Sequence, residues 1–326
     1  MKRVSVIIPC YNGEKLIDTS LSSVFEQTYS NIEVIVVDDG STDNSKAAIE
    51  EWIDKYSEKG YILKYVYQEN RGPGGAVDTG LKHITGEYLT LLDADDRFLS
   101  ESVEKRAEFL DNNPEYVGVR SNGWYVRESG RRLFICEDEE KQITDMFSAL
   151  SFGKTNNWAG TYMIRTDALF KAYPDRSIYP SRFGQNFQLL LPVSYNQKFG
   201  YIDEPLMEYI TQKDSLSQIS DAEKAYYYGL KNAEGWRDIY MHVVSETISD
   251  ESERSYYINA FNSSFFRGRM MNAVASGKTE DAEKYYGLLK KTGYASLNDR
   301  IAYSDFRKTP WVIVLKVIRR IKMFLG

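Results

Sequence analysis

Between residues 3 and 96 the chain repeats one pattern: a short apolar run, a turn, then a segment whose apolar residues recur at helical spacing. Residues 3–9 read as a strand ending in Pro9. Tyr11, Asn12 and Gly13 then turn the chain into a helix with Leu16, Ile17, Leu21, Val24 and Phe25 on one face. Residues 32–37 form a second strand that runs into Asp38, Asp39 and Gly40. Ser41 or Thr42 is placed to cap the next helix, striped by Ile49, Trp52, Ile53 and Tyr56. A third strand at 62–67 precedes the glycine-rich loop 70–75 and a short helix to Ile84. The fourth, at 87–92, stops abruptly at Asp93, Ala94, Asp95 and Asp96. Such alternation predicts an α/β fold with a mostly parallel, doubly wound sheet. Acids or turns close strands one, two and four, so the chemistry belongs to one rim, where open sheets of this kind bind ligands.

The acids after the fourth strand carry two readings. A D-x-D spacing on an extended backbone puts Asp93 and Asp95 on the same side and Asp96 on the other. Two adjacent carboxylates repel unless a cation lies between them. Hard oxygen ligands of this type suit Mg²⁺ or Mn²⁺, which in turn can hold a diphosphate. The blander reading is a solvated acidic turn before the helix that starts near Glu101, since acids favour helix N-termini.

The rest of the first ~100 residues supports the first reading. The segments 5–12, 36–43 and 92–96, together with Asn70, Gly72 and Gly80, resemble in order and spacing the signatures of the family 2 glycosyltransferases. The resemblance is strong to about residue 100 and looser over the next hundred. It implies the nucleotide-sugar-binding fold called GT-A. It also implies a UDP-sugar donor, a glycan or lipid-linked acceptor, and transfer that mostly inverts the anomeric centre. Under it, Pro9 and Tyr11 line the uracil and ribose pocket and Asp39 bonds the uracil imide. Asp93 meets ribose and sugar hydroxyls, Asp95 coordinates Mn²⁺ or Mg²⁺, and Asn70 with Gly72 covers the nucleotide. A turn role for Asp39 and a tight strand-to-helix turn for the glycines are the plainer alternatives.

Two departures limit the carry-over. The family often shows an arginine after the glycine loop, where this chain has Val77, leaving Arg71 or Lys82 as substitutes. Its catalytic base is generally the Asp of a Glu-Asp pair opening an apolar helix, and here the matching positions are Gln185 and Asn186. Neither amide is a general base, though both can orient an acceptor hydroxyl or a donor sugar. Another acid (Asp96, Asp175 or Asp203) can serve as base, or metal and positioning can carry the rate. The alternative is a nucleotide-sugar-binding protein without turnover. A dinucleotide-dependent oxidoreductase fails because the glycine loop follows the third strand and Val77 stands where that fingerprint needs glycine or alanine.

A length of 326 residues suffices for one large domain and an appendage. We divide it into a catalytic domain at 1–217, a helical region at 218–304 and a basic tail at 305–326. The first strand starts almost at Met1 with no apolar leader, which predicts a cytoplasmic enzyme. A net charge of −6 argues against nucleic acid as a partner. Cys10 and Cys136 are too few for a disulfide framework, and His83 and His242 make no zinc pattern.

Residues 100–217 are expected to finish the sheet and build the acceptor half. Strands are expected at 116–126 and 132–136 around Ser129 and Gly130. Trp158 and Tyr162 are either sugar-stacking or core aromatics. Residues 208–215 lie where the family often carries a basic lid. Helices are expected at 222–246, 251–276 and 279–291, as an appendage serving acceptor binding or a homo-oligomer contact. The tail gathers Lys308, Lys316, Arg319 and Arg320 on one side of a helical wheel, with Val314, Val317, Ile318, Ile321, Phe324 and Leu325 opposite. It is too short and charged to span a bilayer, and 309–325 suits the inner face of the cell membrane better than it suits a core.

Overall fold

The computed structural model describes residues 1–155, 158–211 and 221–308. Strands β1 (Val4–Cys10), β2 (Ile32–Asp39), β3 (Ile62–Gln68) and β4 (Tyr88–Leu91) alternate with helices α1 (Ile17–Phe25), α2 (Ser45–Glu58) and α3 (Gly72–Leu81). There follow β5 (Arg97–Phe98), α4 (Ser102–Asn112), β6 (Tyr116–Arg127), β7 (Gly130–Leu133), α5 (Asp138–Lys141) and α6 (Met146–Ser151). Next come β8 (Tyr162–Arg165), α7 (Thr166–Ala172), α8 (Gln185–Ser194) and β9 (Lys198–Ile210). The described chain closes with α9 (Ala222–Thr247), α10 (Glu251–Ala275), α11 (Thr279–Lys291) and α12 (Leu297–Phe306).

The strands form one sheet in the order β3-β2-β1-β4-β8-β6-β9-β5, with β7 on β6. The first four are parallel, as the alternation requires. Beyond β4 the sheet is mixed: β8 runs antiparallel to β4 and β6, and β9 pairs parallel with β6. Residues 100–217 finish the sheet as expected, and β6 matches the strand expected at 116–126, but the mixed pairing was not expected, because these strands pair with partners distant in the chain. Alternate residues of β1 face opposite layers: Ile7 enters one core, and Val6 and Ile8 the other. Both faces of the central strands are therefore buried, the usual state of parallel strands. Each such aliphatic side chain contributes about 1.5–3 kcal/mol.

The boundary at 217/218 does not separate two cores. Ile239, Tyr240, Val243 and Val244 of α9 belong to the same apolar cluster as β1, β4 and α8. Only α10, α11 and α12, with the start of α9, hold smaller clusters of their own, around Met270, Tyr285 and Ala282. Helix α12, capped by a reciprocal Ser296–Asp299 box, was not expected.

Three local expectations need correction. Helix α2 starts at Ser45, and its first N–H is taken by Asp43 Oδ1 at 3.0 Å, whereas Ser41 Oγ accepts from Asn12 N at 2.9 Å. A two-residue link joins β6 to β7, and Cys136 lies past the strand. Asp93–Asp96 is a hydrogen-bonded turn (Asp96 N to Asp93 O, 3.1 Å), not extended backbone, so the same-side argument for Asp93 and Asp95 fails.

Candidate active site

The ends of β2, β1 and β4 are neighbours, since β1 pairs with both. At ordinary strand spacing the acids that end β2 and those after β4 lie about 10 Å apart along one rim. Asp38 shapes the β2 turn by accepting from Ser41 N (2.8 Å) and Tyr65 OH (2.7 Å). Asp39 is 3% exposed and holds the glycine loop. Its Oδ1 accepts from Arg71 N at 2.7 Å and Gln68 Nε2 at 2.6 Å, and its Oδ2 from Gly72 N at 2.8 Å. The free N–H groups opening α3 thus already face an anion, as helix starts favour. Asn70 lies over the same turn, donating to Asp39 O at 2.9 Å. Asn12, at φ 49°, clips the β1 turn to Thr42 N, beside the half-exposed Tyr11.

Gly72 has φ +79°, and a Cβ there would meet Arg182 Cα, Cβ and O at 2.9–3.0 Å. The loop before α8 therefore packs onto the start of α3, and Gly74 N donates to Arg182 O at 3.4 Å. Arg182 Nη2 donates to Asn70 Oδ1 at 2.6 Å. This arginine was missed, because no motif marks it and only folding brings it to Asn70. The proposed substitutes are otherwise engaged. Arg71 and Lys82 both pair with Asp78, at 3.2 and 3.1 Å. Lys82 sits at the far end of α3, roughly 15 Å from the loop. Val77 is core.

Past β4, Asp93 and Asp95 are half-buried and Asp96 is 1% exposed. Burial, and for Asp93 the neighbouring Asp95, pushes these carboxyls above the usual range. Asp96 is pushed up by burial, then by Asp93 and Asp95, so it belongs with the other two and does not point away. Its Oδ1 accepts from Ile210 N at 3.0 Å, and its Oδ2 is buried with no hydrogen-bond partner. Mutually repelling acids and an orphaned buried oxygen fit a divalent cation. Among the described residues no three acid, His or Cys groups converge to hold one alone. Diphosphate oxygens and water would have to complete the shell, as Mg²⁺ sites commonly do.

Arg106 cross-links the elements beside this corner. Fully buried, it donates to Ser102 O, Gly160 O and Tyr162 O at 3.0, 3.0 and 3.1 Å, tying α4 to the segment that enters β8. Tyr162 itself is core, 1% exposed, and its OH donates to Asn186 Oδ1 at 2.6 Å. Its phenol is raised by burial, then by Asp93, which places Asn186 one hydrogen bond from a neighbour of the acids. Asn186 and Gln185 open α8 behind Gly184 at φ +70°, where a Cβ would strike Ile239 Cδ1 at 2.5 Å. Pro192 inside α8 cannot donate to Gln188 O, and Tyr173 OH does so at 3.1 Å. Trp158 is half-buried in an aromatic wall with Phe134 (4.3 Å) and Tyr125 (5.0 Å), and Tyr125 meets Tyr209 at 5.5 Å. The phenol of Tyr209 is pushed up to about 12 by burial, then by Asp96, Asp95 and Asp93, so the wall borders the acids.

Of the alternative bases, Asp203 is paired with Lys141 at 2.9 Å, which holds its carboxyl below the usual range. Asp175 sits in an exposed turn, accepting from Ser177 N. Only Asp96 belongs to the site. Cys10 is a buried thiol pushed up to about 11 by burial, then by Asp38, hence inert.

A sequence profile of glycosyl transferase family 2 matches residues 5–173, just over half of the chain. The chain belongs to this family. An uncharacterized glycosyltransferase of Rickettsia bellii is 30% identical over 235 residues, covering 71% of this chain and 31% of that protein. Glycosyltransferase GlyA of Streptococcus pneumoniae is 26% identical over 260 residues, covering 76% and 34%. The chain therefore spans about a third of the length of these two relatives. Among solved structures, S. aureus TarS 1-349 in complex with UDP-GlcNAc superposes with a TM-score of 0.67 at 21% identity, covering 94% of this chain and 92% of that one. A Pyrobaculum calidifontis mannosyltransferase in complex with GDP-Man and Mn²⁺ gives 0.52 at 18% identity, covering 97% and 84%. The fold of this family 2 member is GT-A, with a helical C-terminal region.

Proposed function

We propose that this chain moves a hexose or N-acetylhexosamine from UDP to a glycan or lipid-linked acceptor, with inversion, using Mn²⁺ or Mg²⁺. The observation that carries the reading is the rim itself. A loop held by Asp39 and the acids Asp93, Asp95 and Asp96 stand two strands apart, about the span of a nucleotide diphosphate. Support comes from the family and from fold neighbours solved with UDP-GlcNAc and with GDP-Man and Mn²⁺. In this reading Pro9 and Tyr11 flank the uracil, Asp39 reads its imide, and Asn70 and Gly72 cover the nucleotide. Asp93 meets sugar or ribose hydroxyls and Asp95 with its neighbours holds the cation. A divalent ion there would neutralise charge growing on the departing UDP. Arg182, exposed beside Asn70, supplies the positive charge that Val77 does not. Gln185 and Asn186 orient the acceptor hydroxyl, and Asp96, which a cation beside Asp95 would hold ionised, is the carboxylate left to take its proton.

One observation favours a second reading. Amides at 185 and 186 leave the expected base position without an acid, which suits a nucleotide-sugar-binding protein without turnover. Free UDP measured after incubation with a panel of UDP-sugars and Mn²⁺ separates the two. Slow UDP release without acceptor supports transfer; tight UDP binding with no release under any condition supports the binder.

Among the described residues no helix is long and apolar enough to cross a membrane. The basic tail at 309–325 lies outside the described residues. From its sequence we place it on the anionic inner face of the cell membrane, where a lipid-linked acceptor would share the surface. The full chain should then co-sediment with anionic vesicles, less so at high salt, and truncation after Lys308 should release it with UDP binding intact. Indifference to vesicles, or unfolding on truncation, would place the tail on the protein's own core. The helical region is free in this reading to serve either the acceptor or a homo-oligomer contact.

A further inference from the structure

A groove of about 350 Å³ runs between α8, α9 and α10, walled by Phe187, Trp236 and Phe265, with Ser264, Thr155 and Gly268 also lining it. Its volume falls in the range of ordinary small-ligand sites. Trp236 meets Phe187 edge-on at 5.8 Å yet remains 43% exposed, a large apolar surface left open. Phe187 directly follows Asn186, whose Oδ1 accepts from Tyr162 OH, so one wall of the groove begins one residue from a side chain tied to a neighbour of the acids.

From this continuity we infer that the groove is an extended acceptor subsite, in which α9 and α10 bind the saccharide units behind the one that is glycosylated. The inference rests on the transferase reading of the rim. The lining selects the occupant. A sugar ring offers apolar faces to aromatic side chains and a hydroxyl to Ser264, whereas an isoprenoid chain would offer that hydroxyl no partner. Thr155 is already engaged, accepting from Arg120 Nη1 at 2.9 Å and donating to Glu140 Oε1 at 2.8 Å. Arg269 is the one charged residue among those lining the groove, and its guanidinium donates to Gly229 O and lies over the Phe265 ring. The groove therefore presents little free charge and suits a neutral oligosaccharide. Open space at Gly268 is what keeps it clear: a Cβ there meets nothing within 4 Å, although the residue lies inside α10.

The test uses the full chain on an array of neutral oligosaccharides of increasing length, with UDP affinity measured in parallel by calorimetry. Wild type should retain oligosaccharides more tightly than their monosaccharides. Gly268→Leu, which fills the groove with a good helix former, should lose roughly ten-fold or more of that binding, as should Trp236→Ala. Gly287→Leu, at another open helical glycine outside the groove, is the control for folding and should bind like wild type. Equal retention by Gly268→Leu and wild type, or no retention of any array glycan by wild type, overturns the inference. Micelles of a polyprenyl phosphate competing for Trp236 fluorescence, where the oligosaccharides do not, would overturn it in favour of a lipid. Loss of UDP binding by wild type would instead count against the transferase reading, and is read separately.

Discussion

Glu33 and Asp96 are both buried carboxyls of the same sheet, at opposite rims. Glu33, at the start of β2, accepts from Ser5 Oγ (2.6 Å), Gly86 N (3.0 Å) and the Thr85 N–H and hydroxyl, with Lys64 at 3.4 Å. Burial raises its carboxyl, but these donors outweigh burial and hold it below the usual range. Asp96 meets one backbone N–H, two like charges and an orphaned oxygen, and is raised. One fold thus supplies donors for one buried acid and withholds them from another. A carboxyl that folding leaves unsatisfied is paid for elsewhere in the core, and such sites are where ligands and cations bind.

The contrast breaks if both rims respond alike to mutation. Asp95→Ala should cost the largest effect, roughly a thousand-fold in transfer or about 4 kcal/mol, with Mn²⁺-dependent UDP binding lost and folding unimpaired. Calorimetry with UDP and Mn²⁺ decides it, since unchanged affinity would remove the cation from this acid. Glu33→Ala should do the reverse. Stranding the donors of Ser5, Thr85 and Gly86 should lower stability by about 3 kcal/mol in urea unfolding, while the folded fraction still binds UDP. A UDP-binding defect in folded Glu33→Ala would erase the distinction between the rims.

Much of the first rim was legible because it is local. Strand, turn and helix recur within about 30 residues, so periodicity placed β1 to β4 and the acids that end them. What sequence could not give is whatever pairs distant segments. Arg182 reaches Asn70 across 112 positions, and Ile210 reaches Asp96 across 114. The antiparallel insertion of β8 next to β4 is likewise nonlocal, and it carries Tyr162 and hence Asn186 to the acids. Tyr162 illustrates the limit of composition, since an aromatic suited to sugar stacking is in fact core, while Trp158 keeps an exposed part. The acidic turn failed in detail because strand geometry was extended past Leu91, where the backbone already bends.

Asp39→Asn sharpens the comparison within one rim. Its carboxylate takes two backbone N–H donors of the glycine loop and the Gln68 side-chain amide, so an amide placed there turns one donor against another. UDP affinity should fall by roughly 1–3 kcal/mol. An equal fall for GDP and CDP would show that Asp39 acts by holding Gly72; a fall confined to UDP would assign it the uracil. Asn186→Ala should be milder for the donor: it removes the acceptor of the Tyr162 bond and should lower turnover with UDP affinity nearly unchanged. A drop in UDP affinity would move Asn186 to the donor side.

The smallest effect expected is on pH dependence. An acid raised in the folded state keeps its proton where the unfolded chain, titrating near 4, has released it. The folded form then binds more protons, so stability falls as pH rises above about 4, opposite in sign to a satisfied acid such as Glu33, whose contribution is lost only as pH falls through its lowered value. In EDTA, wild type should therefore melt lower at pH 8 than at pH 5. Asp96→Asn keeps an oxygen for Ile210 N and removes the titrating group. Its fall over that range should be smaller by about 1 kcal/mol, within the 1.4 kcal/mol per proton and pH unit that linkage allows. Mn²⁺ should flatten the wild-type profile, because a cation beside Asp95 favours the ionised forms of its neighbours. Parallel melting profiles for wild type and Asp96→Asn in EDTA would mean that Asp96 is ionised and satisfied like Glu33, and that the difference between the two rims does not lie in this residue.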